Sequence, residues 1–128
     1  MGSQQLLLLI VGVLMVGLMI SVGIIMFGDN ASASNRDAVA SELAAYASKA
    51  QVYYRKPRTL GGGGGSFQGF SLGAPSVTNL NGVFTISSST PSQATIEGIG
   101  VERGFDQVSP VKVAVDVKPD SIFTTELN

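Results

Sequence analysis

The sequence predicts an α+β protein in which a long N-terminal helix packs on a small antiparallel sheet. Residues 6–27 are apolar and uncharged, and residues 36–56 repeat apolar side chains at helical spacing without glycine or proline. After Pro75 the pattern changes to the two-residue alternation of strands. With 128 residues the chain is long enough for one compact domain. We therefore predict three parts: an apolar helix over 1–28, its amphipathic continuation over 29–57, and a glycine-rich loop with the sheet over 58–128.

The first part is organised around residues 6–27, which are 22 residues long and carry no charged side chain. As a helix this stretch would be roughly 33 Å long, enough to cross the hydrocarbon core of a bilayer. Its apolar side chains lie all round the helix, so lipid or other helices like it must surround it. We expect the segment to be buried by at least three other copies of itself. The predicted filament-core residues are Leu6, Leu9, Val13, Leu14, Gly17, Ser21, Ile24 and Phe27.

Three features of this stretch allow more than one interpretation. Ala31-Ser32-Ala33 resembles a signal-peptide cleavage site, but the first five residues lack Lys and Arg and the apolar run is too long, which favours retention. The glycines at 12, 17, 23 and 28 either permit close helix–helix approach or reflect the general frequency of glycine in membrane helices. Since no proline precedes Pro57, we predict a non-helical joint at the weakest residues, near Gly28–Asn30 or else around Gly17–Gly23.

The second helical stretch covers residues 36–56 and should end at Lys56, because Pro57 disfavours helical geometry in the residue before it. Either a capping box at Ser34 and Asp37 begins a new helix, or the first helix runs straight through. Alternating spacings of four and three place one set of side chains on a single face. We predict that this face packs on Val113 and Val115 of the sheet, in a seam formed by Val39, Leu43, Tyr46, Ala50 and Tyr53.

The third part begins with five consecutive glycines, Gly61–Gly65, which we predict to be a loop. The loop is either flexible or packed where side chains do not fit, and Phe67, Phe70 and Leu72 should fix its far end to the core. Residues 101–109 are predicted to be a longer connection. The strands are predicted at 82–88, 93–99, 111–117 and 122–127, of which the third alternates valine with Lys112, Ala114 and Asp116 most regularly.

Composition excludes several classes of function. The net charge of −1 gives no indication of nucleic acid as a partner. Histidine and cysteine are absent, which excludes disulfides, thiol catalysis and the usual zinc sites. Glu97, Glu102 and Asp106 would suit a cation if they met at one loop, but isolated surface acids are the favoured interpretation. We therefore expect no catalytic residues, no metal and no cofactor, in a protein that is not an enzyme.

The order of these parts resembles the type IV pilins: an apolar N-terminal helix, an alanine-rich amphipathic continuation, a glycine-rich loop and a small antiparallel sheet. The resemblance covers essentially the whole chain. It implies a lollipop-shaped structural subunit that resides in the cytoplasmic membrane before assembly. Pilus machinery would then assemble many copies into an extracellular filament. A monomeric membrane-anchored binding module, such as a minor pilin or a secretion pseudopilin, is the alternative.

Within that resemblance, Gln5 stands where pilins carry a glutamate, if Met1 is the mature start. The family's glutamate is taken to offset the charge of the amino terminus on a neighbouring subunit. A buried ammonium without a partner costs several kcal/mol. Because amide and hydroxyl oxygens accept hydrogen bonds, we expect Ser3, Gln4 and Gln5 to solvate the amine.

Overall fold

The computed structural model describes residues 2–128 and confirms the predicted α+β class. It divides into two compact units, an N-terminal unit that ends at Ala31 and a C-terminal unit from Ser32 to Asn128. The elements, in chain order, are helix α1 (Gly2–Arg55), a 3-10 turn (Arg58–Leu60), and strands β1 (Ser76–Thr78), β2 (Gly82–Ser89), β3 (Ala94–Arg103), β4 (Pro110–Val117) and β5 (Ile122–Glu126).

Helix α1 continues without interruption through both stretches predicted to break, Gly28–Asn30 and Gly17–Gly23. The prediction of a non-helical joint is therefore wrong. A glycine lowers helix stability by only about 1 kcal/mol relative to alanine, and it keeps its backbone donor and acceptor. Proline would remove a donor, but the first proline, Pro57, lies beyond the helix end at Arg55. Of the two alternatives considered at Ser34, the continuous helix is the one observed.

The five strands form an antiparallel meander in which each strand pairs with its neighbours in sequence. All four predicted strands are present, although β3 continues to Arg103 where the sequence predicted a connection from residue 101. The register with β4 is irregular between Ile99 and Arg103, and Arg103 then pairs with Pro110. Strand β1 was not predicted, because three residues are too few for an alternation to be recognised.

The core of the C-terminal unit lies between α1 and one face of the sheet. Alternate residues of β4 are fully buried, as its valine pattern predicts. They belong to one apolar cluster with residues from α1, from the glycine-rich segment and from β2 and β3. The cluster contains Val39, Leu43, Ala47, Ala50, Phe67, Phe84, Ala94, Ile96, Val111, Val113, Val115 and Val117.

The five glycines pack against the end of α1. The backbone N–H groups of Gly63, Gly64 and Gly65 donate to the carbonyls of Tyr53, Lys56 and Tyr54, at 2.8, 2.9 and 2.8 Å respectively. Tyr53 and Tyr54 lie in the last turn of α1 and Lys56 follows its end, where a helix has no partners of its own for its acceptors. The glycine run therefore caps the helix C-terminus. Further along, Phe67 is fully buried and Phe70 and Leu72 pack against the core, which confirms their predicted anchoring role.

Gly63 tolerates no side chain in this cap. A Cβ atom there would clash with the carbonyl oxygen of Ser66 and lie 2.8 Å from Cε1 of Tyr53. We expect Gly63→Ala to lower the free energy of unfolding by about 1–3 kcal/mol, the usual cost of overpacking. Leu60→Ala is the matched control, since this neighbouring side chain is exposed and should change stability by only about 0.5 kcal/mol. Denaturant unfolding of both variants measures the difference, and equal midpoints would contradict the proposed packing.

A buried asparagine, Asn35, connects α1 to two neighbouring strands at one end of the sheet. The Asn35 amide nitrogen donates to the carbonyl of Asn81 at 2.9 Å. Its oxygen accepts the backbone N–H groups of Val101 and Glu102 at 3.1 and 3.2 Å. A Cβ atom at Gly100 would clash with this same oxygen, so glycine is required there. The first turns of the C-terminal unit are thus fixed to the turn before β2 and to the end of β3.

Candidate functional site

The N-terminal unit presents an apolar surface on every face of the helix. All of its residues from Gly2 to Asn30 are exposed, including each residue predicted to form a filament core. Leu14 and Phe27 are 67% and 77% exposed. Among the described residues, α1 is the one helix long and apolar enough to cross a membrane. A continuous apolar surface of this extent is typical of contact with lipid or with other apolar helices.

The small side chains of this segment leave shallow depressions in the surface of the helix. The Ser21 hydroxyl donates to the carbonyl of Gly17 one turn earlier, at 2.9 Å, so its polarity is satisfied within the helix. A Cβ atom added at Gly12, Gly17, Gly23 or Gly28 would meet no atom within 4 Å. These positions are therefore open to the close approach of a neighbouring helix.

The predicted partners of the amino terminus lie in the first turn of α1. Ser3, Gln4 and Gln5 are all helical and exposed. The amine itself belongs to Met1, which lies outside the described residues, so its contact with these three side chains remains a prediction.

Most residues of the predicted helix–sheet seam lie in the core of the C-terminal unit. Val39, Leu43, Ala50, Val113 and Val115 are fully buried. Tyr46 is half-buried, with its ring centroid 5.3 Å from that of Phe84.

Tyr53 occupies a different place from these residues. Its ring centroid lies 5.5 Å from that of Phe70, and its hydroxyl donates to the carbonyl of Gln68 at 2.9 Å. Tyr54 packs on the core, with its ring centroid 4.7 Å from that of Phe67. Ala47, also absent from the predicted seam, is fully buried one helical turn after Leu43. The spacing of four residues between Leu43 and Ala47 is the sequence feature that could have predicted this burial.

Two of the three acids considered for a cation site, Glu97 and Asp106, have separate partners. Glu97 lies 3.7 Å from the Lys112 ammonium. Asp106 accepts hydrogen bonds from Val108 and Ser109 within its own loop. Within residues 2–128, no group of three or more acids, histidines or cysteines is placed to hold a metal ion.

The Asp106 carboxylate organises the loop between β3 and β4. The Ser109 hydroxyl, the backbone N–H groups of Val108 and Ser109, and the Asn128 amide hold the pKa of this carboxyl well below its usual value. A depressed pKa stabilises the fold above the ordinary pKa of an aspartate, about 3.9, and the stabilisation is lost as the pH falls further.

We therefore expect Asp106→Asn to be less stable than the unchanged chain at neutral pH, with the difference shrinking as the pH falls below about 4. Denaturant unfolding midpoints over a pH series measure it. Ser109→Ala removes the hydrogen bond that lowers this pKa most. It should lose less stability than Asp106→Asn at neutral pH, and this loss should also shrink as the pH falls. A pH-independent difference for Asp106→Asn would contradict the role of its charge.

Comparison of the chain with family models, with curated proteins and with solved structures finds no match.

Proposed function

We propose that this chain is the structural subunit of an extracellular filament of the type IV pilus kind. Many copies assemble by bundling the apolar part of α1, residues 2–28, at the filament centre. The observation that carries the proposal is the exposure of every residue in that segment, while the C-terminal unit has a complete apolar core of its own. The exposed segment therefore requires a partner that the rest of the chain does not supply.

The chemistry of the segment supports an exchange between membrane and filament. Lipid tails are as apolar as leucine side chains, so a helix leaving lipid for a bundle gains little from the hydrophobic effect and loses little. Association then depends on close packing, for which Gly12, Gly17 and Gly23 leave room. A charged side chain would destabilise the helix both in lipid and in the bundle, and none lies between Gly2 and Gly28. We place the unassembled subunit in the cytoplasmic membrane, from which pilus assembly machinery would take it to the cell surface.

The alternative is a monomeric binding module anchored to the membrane by the same helix. The two functions differ in what surrounds residues 2–28: copies of the chain in the filament, and lipid alone in the anchored module. Burial by other copies is therefore the property to test.

The direct test is negative-stain electron microscopy of material sheared from the cell surface, with the protein content identified by mass spectrometry. The proposal predicts long filaments made chiefly of this chain, and their loss from cells that lack its gene. Sheared material without such filaments, together with a chain that stays in the membrane fraction, would favour the anchored module.

A further inference from the structure

The two ends of the C-terminal unit carry opposite charges. We call the loops around the C-terminus of α1 the basic end, and the first turns of the unit with the loop between β3 and β4 the acidic end. The basic end has four cations and one carboxylate, a net charge of +3: Arg55, Lys56, Arg58 and Lys118, with Asp120. The acidic end has five carboxylates and two cations, a net charge of −3: Asp37, Glu42, Glu102, Asp106 and Glu126, with Arg36 and Arg103.

Contacts within the unit gather the basic end. Side chains of α1 hold the turn between β4 and β5: the Gln51 amide donates to the carbonyl of Lys118 at 3.2 Å, and the Arg55 guanidinium donates to that of Pro119 at 3.5 Å. Arg58 lies in the 3-10 turn that follows the helix. All four cations are exposed, so their charge faces the surroundings of the unit.

Other contacts gather the acidic end around the beginning of the unit. Four α1 residues each contact this end: Ser32 the carbonyl of Arg103, Asn35 the backbone N–H of Glu102, Arg36 the Glu126 carboxylate, and Glu42 the amides of Asn79 and Asn81. Asp106 follows Arg103 in the same loop by three residues. The last of these helix residues, Glu42, precedes Arg55 by more than three helical turns, so the two charged regions are separate.

The excess charge of each end is not neutralised by the other end of the same copy. Among the described residues two ion pairs occur, one within the acidic end and one between β3 and β4, and neither involves the basic end. Asp37 and Arg55 are 18 residues apart, roughly 27 Å along a helix. Because the Debye length at physiological ionic strength is about 8 Å, salt screens the two ends from each other.

Asp37 and Arg55 also lie on one face of α1. A separation of 18 residues is five complete turns, so the two side chains point to the same side of the helix, and both are exposed. In an open polymer each contact joins two different surfaces of the same subunit. The two ends of this helix face are such a pair, because a parallel copy shifted by their separation would bring its Asp37 to Arg55 of the first copy.

We propose that, in the filament, the basic end of one copy docks on the acidic end of the next, with Arg55 against Asp37 of that next copy. Complementary charge fixes the register of an interface and disfavours wrong pairings, so this contact sets the axial shift between neighbouring copies. An anionic lipid would use the basic end alone and would leave the equal and opposite charge of the acidic end without a role. The inference rests on the proposed filament and adds a second contact between its copies.

Charge reversal at this pair tests the contact in the full chain. Arg55→Glu and Asp37→Arg each bring like charges together, whereas a chain with both substitutions restores an opposite pair. Each single variant should yield about tenfold less sheared filament, and the double variant should recover most of the yield. Both side chains are exposed, so the fold should persist, which circular dichroism in detergent measures. Arg55→Gln or Asp37→Asn replaces a variant that loses the sheet signal, and should lower the yield less.

Lys49→Glu is the matched control. Lys49 is exposed on α1 between the two ends, and its reversal changes the net charge by the same amount as Arg55→Glu. Alone it should leave the yield unchanged. Combined with Asp37→Arg it restores the net charge without restoring the pair, so this combination should stay as impaired as Asp37→Arg.

The outcomes separate the inference from the proposed function. Normal filaments from both single variants, or no recovery when Arg55→Glu and Asp37→Arg are combined, would overturn the inference and leave the filament in place. Loss in only one single variant would show that this end binds something else, such as lipid, and recovery through Lys49→Glu would show an effect of net charge; either would overturn it. Absence of filaments from the unchanged chain would overturn the proposed function and the inference together.

Discussion

Replacement of Leu14 by lysine is expected to abolish filament assembly while the C-terminal unit stays folded. Leu14 lies in the middle of the apolar segment and is 67% exposed, without a partner in the described chain. A lysine at the centre of a membrane helix costs about 2.5–3.5 kcal/mol in insertion experiments. In a bundle this cost recurs in every copy.

Leu14→Met is the matched control, since it keeps the volume and apolarity and should assemble normally. Electron microscopy counts filaments for both variants, and circular dichroism follows the sheet of the C-terminal unit. Normal filaments from Leu14→Lys would contradict burial of this segment by neighbouring copies.

Leu43→Ala is expected to lower the free energy of unfolding of the C-terminal unit by about 2–5 kcal/mol. Leu43 is fully buried in the cluster formed by α1 and the sheet. Truncation removes its apolar contacts and leaves a cavity that the surrounding side chains fill only in part. Such a loss is a large fraction of the 5–15 kcal/mol that stabilises a typical domain.

Val52→Ala provides the comparison, because Val52 lies on the same helix but is 64% exposed. It should change stability by only about 0.5 kcal/mol. Denaturant unfolding of the full chain in detergent, followed through the sheet signal, measures both variants. Equal midpoints for Leu43→Ala and Val52→Ala would place the core elsewhere.

The sequence was most informative where side chains alternate between core and solvent. The valines of β4 and the alternating spacings of α1 identified the two faces that form the core. The end of the helical face was ambiguous, because residues three and four positions after Ala50 are both near its face. The structure packs Tyr54 against the buried Phe67, whereas Tyr53 lies against the less buried Phe70.

Features that depend on backbone contacts were not predictable from side-chain patterns. The cap formed by Gly63–Gly65 uses N–H groups that every residue except proline has, so only the absence of side chains hinted at it. Asn35 was not recognised because a polar residue on a helix is usually exposed, and its partners lie more than 40 residues away. The glycines of α1 were over-interpreted as breaks, since a weak helix propensity does not by itself end a helix.

Cysteine cross-linking of the apolar segment tests the central claim most directly. The chain contains no cysteine, so a cross-link formed through one introduced thiol must join two copies. Four consecutive positions, Val13, Leu14, Met15 and Val16, point to all sides of a helix, about 100° apart. Copies in a filament meet through different residues of each copy, so a long, flexible bismaleimide is used instead of direct disulfide formation. A bundled core predicts cross-linking at every one of the four positions when the reagent is added to assembled material, and none when the material is dispersed in detergent before the reagent is added. Cross-linking at none of the four positions, or on a single face only, would contradict a filament core built from this helix.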